Sequence, residues 1–238
     1  ICANDVGVPA GRVVYTTMLN SRGGIEADLT VTRLSEDSYM VITGATGEGR
    51  DYHWIRQSIP DDAQAFLTNV TSAFAVLGVM GPNSREFMSD VTGADLSNEA
   101  FPFLSSQEIE VGHAVVRATR ITYVGELGWE LYVPVEFATH AYDTLVTKGH
   151  EHGLRHAGFH AMESLRIEKG YRAWGPDLTD QDTPLEAGLG FAIAFKKTAE
   201  FVGKSALLQQ LKQGIRRRLV MFTLDDPDPL LLGDEPIY

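Results

Sequence analysis

At 238 residues, 44% of them hydrophobic, the chain is long enough for one large domain or two small ones, each around a sizeable core. Acidic residues outnumber basic ones by 32 to 20, and the resulting net charge of −12 argues against binding along a nucleic-acid backbone. The single cysteine, Cys2, excludes an internal disulfide framework and a cysteine-built zinc site, and no apolar run approaches the roughly 20 residues needed to cross a bilayer.

The opening residues Ile1–Asp5 carry no signal-peptide pattern, and a start without Met reads as a piece of a longer protein. Arg12–Leu19 is expected to be a strand, Asn20–Gly24 a turn, and Ile25–Leu34 a second strand with alternating faces, together a hairpin. Tyr39–Thr43 reads as a third strand. Glu48–Ile59 follows as a helix, with Tyr52, Ile55 and Ile59 at helical spacing and Pro60 as its stop. Phe74–Met80 is nearly all apolar and reads as a buried strand, and Gly81–Ser84 opens a short helix containing Phe87 and Met88. Gly112–Pro134 repeats the hairpin theme, with one strand running through Tyr123 and Glu126 at the tip, and a helix from Glu136 to about Lys148 follows. Hairpin then helix thus occurs twice, a hint of a duplicated α+β unit. Further helices are expected over Ala157–Gly170 and Lys204–Lys212, separated by the irregular loop Ala173–Pro184 and an apolar run, Leu189–Phe195. Arg218–Leu224 reads as a final strand. The basic run Arg216–Arg218 is expected on a solvated surface or a strand edge.

Several residues stand out against these patterns. Asp28 interrupts a strand, where Asp is depleted; it is either surface charge or, if its face lines a cavity, a candidate base. Tyr123 and Glu126 place an aromatic hydroxyl and a carboxylate beside glycine turns, a layout suited to a flat hydrogen-bonding ligand, although a turn carboxylate is ordinarily solvated. Arg166 lies on a helical stripe with Phe159 and Met162, so its guanidinium requires an acidic partner; Glu126, Asp28 and Glu186 are candidates, and an ion pair competes with a ligand contact. Trp174, on the loop, is either a plug over the core or a stacking platform for a planar ring. Other signals are weak: Gly44–Gly49 lacks the spacing of a dinucleotide or phosphate loop. His152, His156, His160 and Glu163 recur at helical spacing, but Gly153 and Gly158 break that helix and argue against a metal site. The serines show no nucleophile elbow.

The blocks Asn20–Val31, Asp95–Phe103, Val124–Glu130, Ser164–Gly170, Pro184–Gly188 and Phe201–Leu207 closely resemble the folate-binding portion of sarcosine and dimethylglycine dehydrogenases, which is similar to the aminomethyltransferase (T protein) of the glycine cleavage system. The likeness runs over nearly the whole chain. It implies an α+β fold with duplicated ferredoxin-like units around a tetrahydrofolate cavity, residues 1–214 forming the folate-binding domain and 215–238 the start of a β-barrel. Carried over by motif, Asp28 matches the catalytic aspartate, and Tyr123, Glu126, Arg166 and Trp174 match folate-pocket positions. The implied reaction forms 5,10-methylenetetrahydrofolate from the iminium left by flavin oxidation of an N-methyl amino acid, with FAD carried by another part of the parent protein. No nucleic acid or membrane is implied, and the expected compartment is the cytoplasm or, in a eukaryote, the mitochondrial matrix. A non-catalytic folate-binding or scaffold domain, or a demethylase of a methylated sulfur compound, are the alternatives on the same fold. Two departures stand out: Ala27 precedes Asp28 where T proteins often carry a second acid, and Thr43 stands where they have Asn.

Overall fold

The computed structural model describes residues 1–226, 228, 230 and 231. Its architecture is α+β, built on two antiparallel sheets. The first is a meander of β1 (Val13–Leu19), β2 (Ile25–Arg33) and β3 (Tyr39–Ile42), with Thr17 opposite Asp28 and Thr30 opposite Ile42. Alternation in β2 sends Ala27, Leu29 and Val31 to one face, where they pack with Met18 and with Trp54 and Ile55 of α1 (Glu48–Gln57). Asp28 and Thr30 are left on the other. The β1–β2 turn closes because the Asn20 side-chain oxygen accepts from the N–H groups of Arg22 and Gly24, each at 3.0 Å.

The second sheet, in the order β4-β7-β6-β5, comprises β4 (Phe74–Met80), β5 (Ser106–Val111), β6 (Ala114–Thr119) and β7 (Gly128–Pro134). Its inner face packs Val116, Ala118, Trp129, Leu131 and Val133 against Phe87 and Met88 of α2 (Ser84–Val91) and Ala141 and Leu145 of α3 (Ala138–Gly149). A β-hairpin joins β5 and β6, and Gly112 supplies the positive φ of 61° that its tight turn needs. The remaining core lies where the β1–β2 turn meets the loop before α5 (Lys204–Gln213): Leu19, Ile25, Leu178, Leu189, Phe201 and Leu207 cluster there.

The structure corrects four sequence expectations. The strand expected through Tyr123 ends at Thr119, and Arg120–Leu127 is an irregular connection, because Tyr123 turns its hydroxyl to the Arg172 carbonyl instead of continuing the ladder. Among the described residues strand β4 is paired only with β7, so it is an edge strand, and Val76 on it is 55% exposed. The helix expected over Ala157–Gly170 is shorter, α4 (Phe159–Glu168), since Gly158 holds extended backbone at its start and Gly170 has φ 66° beyond its end. Residues 218–224 form no strand: among the described residues they find no partner strand, and Leu219 instead donates its N–H to the Glu186 carbonyl at 2.9 Å. The last part of the expected barrel segment, 232–238, lies outside the described residues.

Candidate functional site

The polar face of the first sheet carries the most unusual chemistry in the molecule. Asp28 is largely buried there, and its Oδ2 accepts a 2.9 Å hydrogen bond from the Tyr15 hydroxyl. Thr17, directly across the ladder, is fully buried, and its hydroxyl has no hydrogen-bond partner among the described residues. Burial raises the Asp28 carboxyl above the ordinary carboxylate range; the Tyr15 bond and the Arg50 charge oppose that rise, and the neighbouring Asp51 adds to it. The Tyr15 hydroxyl is pushed up too, first by burial and then by the charge of Asp28.

Opposite this face stands the loop after α4. Trp174 is anchored from behind by its indole N–H, which donates to the Ile25 carbonyl at 2.8 Å, and its body packs on the Leu19–Ile25 core. Its open face is covered by the Arg50 guanidinium, 3.6 Å from the ring centroid. Trp174 is therefore a plug over the core whose outer face carries Arg50. Arg50 is itself fixed edge-on, Nε and Nη2 each lying 2.8 Å from Asp51 Oδ1. Asp51 is 2% exposed and also accepts from the Thr43 hydroxyl.

Tyr123 joins the same neighbourhood. Its hydroxyl donates to the Arg172 carbonyl at 2.9 Å, its ring stacks on Tyr171, and its pKa is pushed up to about 12, mostly by burial, with Asp28 among the charges it feels. Arg166 sits one layer behind. It is 3% exposed, and it is paired with Glu163 and Asp177, not with Glu126, Asp28 or Glu186 as its sequence context suggested. The reason is local: Glu163 is one helical turn away, and Asp177 returns on the loop that Arg166 also holds through the Tyr171 carbonyl at 2.9 Å. Glu126 is half-exposed, its side chain 42% accessible and 3.9 Å from Lys169 Nζ.

Asp28, Tyr123 and Trp174 thus share one neighbourhood and Arg166 braces the loop that carries Trp174, whereas no contact among the described residues joins Glu126 to them. Sequence reasoning passed over Tyr15, Arg50 and Phe191. An Arg-Asp pair at a helix start is unremarkable in sequence, whereas Phe191, 72% exposed yet stacked on Tyr15 with centroids 5.9 Å apart, is betrayed only by being a large aromatic in a glycine-rich run. A second buried acid, Glu130 on β7, accepts from the Tyr132 hydroxyl and is likewise raised by burial. The first neighbourhood brings together an acid, a cation and several aromatic side chains, the groups that recognise a flat, hydrogen-bonding ring.

Comparison with known proteins agrees with this geometry. The model of the GCVT N-terminal domain family matches residues 1–197, so the chain belongs to that family. Mitochondrial sarcosine dehydrogenase of Homo sapiens is 41% identical over 98% of this chain and 27% of its own length. The mitochondrial pyruvate dehydrogenase phosphatase regulatory subunit of Mus musculus is 38% identical over 99% of this chain and, again, 27% of its own length. The chain therefore spans about a quarter of these curated relatives. Among solved structures, the glycine cleavage system aminomethyltransferase T from Bartonella henselae superposes with a TM-score of 0.74 at 27% identity, covering 90% of this chain and 56% of that one. The fold is thus that of an aminomethyltransferase-type domain. Among the described residues no helix is long and apolar enough to cross a membrane.

Proposed function

We propose that this chain binds tetrahydrofolate and transfers to it the one-carbon unit of an iminium, made by flavin-dependent oxidation of sarcosine, dimethylglycine or a related N-methyl amino acid in the parent protein. Residues 1–214 are assigned to this folate unit and 215–238 to the start of a barrel-forming unit. The observation that carries the reading is the convergence of a desolvated acid, Asp28, with the Arg50-capped Trp174 and the Tyr15 and Tyr123 hydroxyls in one neighbourhood. Those residues fit a pterin: the aromatic groups offer stacking faces, and the hydroxyls and carboxyl offer hydrogen bonds to its ring edge. Glu126 is assigned to the rim of the same pocket, and Arg166 to holding the loop that carries Trp174.

Tetrahydrofolate supplies two amine nitrogens that take up the CH2 group, while their two protons pass to the released amine; the exchange involves no net oxidation. Asp28, raised above its ordinary pKa, is suited to receive a proton from an attacking nitrogen and to stabilise positive charge nearby. Tyr15 holds the carboxyl in orientation, and the aromatic walls exclude water from a reactive iminium. The matrix of the mitochondrion is the assigned compartment in a eukaryote, in line with the names of the relatives.

Titration with tetrahydrofolate, followed by tryptophan fluorescence, tests the binding step. Saturable quenching that disappears in Trp174→Ala supports the pocket; unaltered quenching in that variant removes it. Asp28→Ala is expected to keep folate binding while lowering methylene transfer by about 10²–10⁴-fold, the usual contribution of a positioned acid or base. A second reading, a folate-binding regulatory domain without transfer, is favoured by the similarity to a regulatory subunit. Binding with no transfer in the unmodified protein would decide for it.

A further inference from the structure

Among the guanidinium groups of this neighbourhood, Arg50 is the exposed one, and it has one edge without a hydrogen bond among the described residues. Arg172 directs Nε to the Ala187 carbonyl at 2.9 Å and Nη1 to the Gly170 carbonyl, and Arg166 is occupied by Glu163, Asp177 and the Tyr171 carbonyl. Arg50 binds only Asp51, through one edge of its guanidinium; among the described residues Nη1 makes no hydrogen bond. Its side chain remains 36% exposed. Its plane is set by Trp174 and its edge by Asp51, which Thr43 holds in turn. Gly47 makes this arrangement sterically feasible, because a Cβ there would lie 2.6 Å from Asp51 Oδ2 and 3.2 Å from Arg50 Nη2. A guanidinium fixed on one edge and one face, with the other edge open, is a preorganised fork for a carboxylate. Asp28 lies close enough for the Arg50 charge to act on it.

We propose that Arg50 receives the carboxylate of the amino acid that delivers the one-carbon unit, so that a zwitterionic donor lies with its nitrogen cation towards Asp28 and its carboxylate on Arg50. The assignment rests on the transfer reading above and adds the donor's chemical class to it. An acid and a guanidinium within electrostatic reach of each other complement a small molecule carrying both charges, and they discriminate against a simple methylamine, which would leave the Arg50 fork unmatched. Arg50 takes no part in bond making; it fixes where the iminium carbon stands relative to the folate nitrogens.

The test uses the full-length protein saturated with tetrahydrofolate. Tryptophan fluorescence is followed while glycine, the demethylated zwitterion, or methylamine, the cation without a carboxylate, is added. In the unmodified protein glycine is expected to bind at least tenfold more tightly than methylamine; in Arg50→Gln the preference should vanish, and in Arg50→Lys, which keeps charge without the fork, it should fall part of the way. In turnover with sarcosine, the fraction of oxidised methyl groups recovered as methylenetetrahydrofolate, as opposed to formaldehyde, should drop about tenfold in Arg50→Gln with the folate dissociation constant unchanged. An unchanged glycine preference and recovered fraction in Arg50→Gln, alongside loss of recovery in Asp28→Ala, overturns the role of Arg50 and leaves the transfer reading standing. Loss of folate affinity in step with recovery also overturns it, since Arg50 would then hold the carboxylate of folate itself. Failure of the unmodified protein to bind tetrahydrofolate sinks the transfer reading, and this assignment with it.

Discussion

The two sheets solve the same packing problem in different ways. The four-stranded sheet closes its inner face with Trp129, Leu131, Val133, Val116 and Ala118, all essentially inaccessible, over α2 and α3. The three-stranded sheet closes one face in that manner with Ala27, Leu29 and Val31, but on the other it buries Thr17 and largely desolvates Asp28, groups that cost free energy to take from water. Under the function proposed above, the small sheet holds the chemistry at the expense of stability and the large one, Glu130 on its other face aside, serves as scaffold. That contrast is what an aminomethyltransferase-type fold leads one to expect if the small sheet carries the reaction.

The contrast can be broken most sharply on the scaffold side. Trp129→Ala should lower stability by about 3–5 kcal/mol, the usual loss for emptying a large aromatic site in a core. Denaturant titration would measure it, and tetrahydrofolate affinity in the fraction still folded should be preserved; a loss confined to affinity would mean the sheets are not separable in this way. Arg166→Ala lies between the two regimes. It strands Glu163 and Asp177 near a buried surface, a loss of about 3 kcal/mol, and because the loop it braces carries Trp174, folate affinity should fall together with the melting temperature.

The smallest effect is the most diagnostic. The Asp28 carboxyl has its pKa raised in the folded state, so the native protein binds more protons than the unfolded chain between the ordinary carboxylate pKa and the raised one. Stability from this group is present below that window and lost as pH rises through it. Asp28→Asn, which keeps an acceptor for the Tyr15 hydroxyl, should therefore raise stability by about 1 kcal/mol at neutral pH. The gain should shrink to nothing in acid below the ordinary carboxylate range. Thermal melts from pH 3 to 8 would check this, and a constant difference across that range would show that Asp28 is not desolvated.

Much of the architecture could be read from the chain. The alternation in β1 and β2 and the Asn20–Gly24 turn are local signals, and the structure follows them closely. Strand β5 escaped notice because Gln107, Glu108 and Glu110 dilute its apolar positions, leaving Ile109 and Val111 as its only large buried apolar residues. Arg218–Leu224 misled in the opposite direction, since apolarity with no partner strand among the described residues does not make a sheet. At the candidate site, Asp28 and Trp174 were visible because each is out of place for its element. Arg50 and Tyr15 were not, for their significance lies in what faces them from far along the chain. Glu126 was chosen from its position beside a glycine turn, while the more deeply buried acid of that segment is Glu130, four residues on; only tertiary packing separates the two.

The single bond from the Trp174 indole to the Ile25 carbonyl joins residues 149 apart. Closing so large a loop carries an entropic cost that neither end can offset until most of the intervening chain is ordered. The Trp174 anchor is therefore expected to form late in folding and to be lost early on damage anywhere between its ends. Ligand occupancy would then serve as a gauge of whether the molecule as a whole is intact.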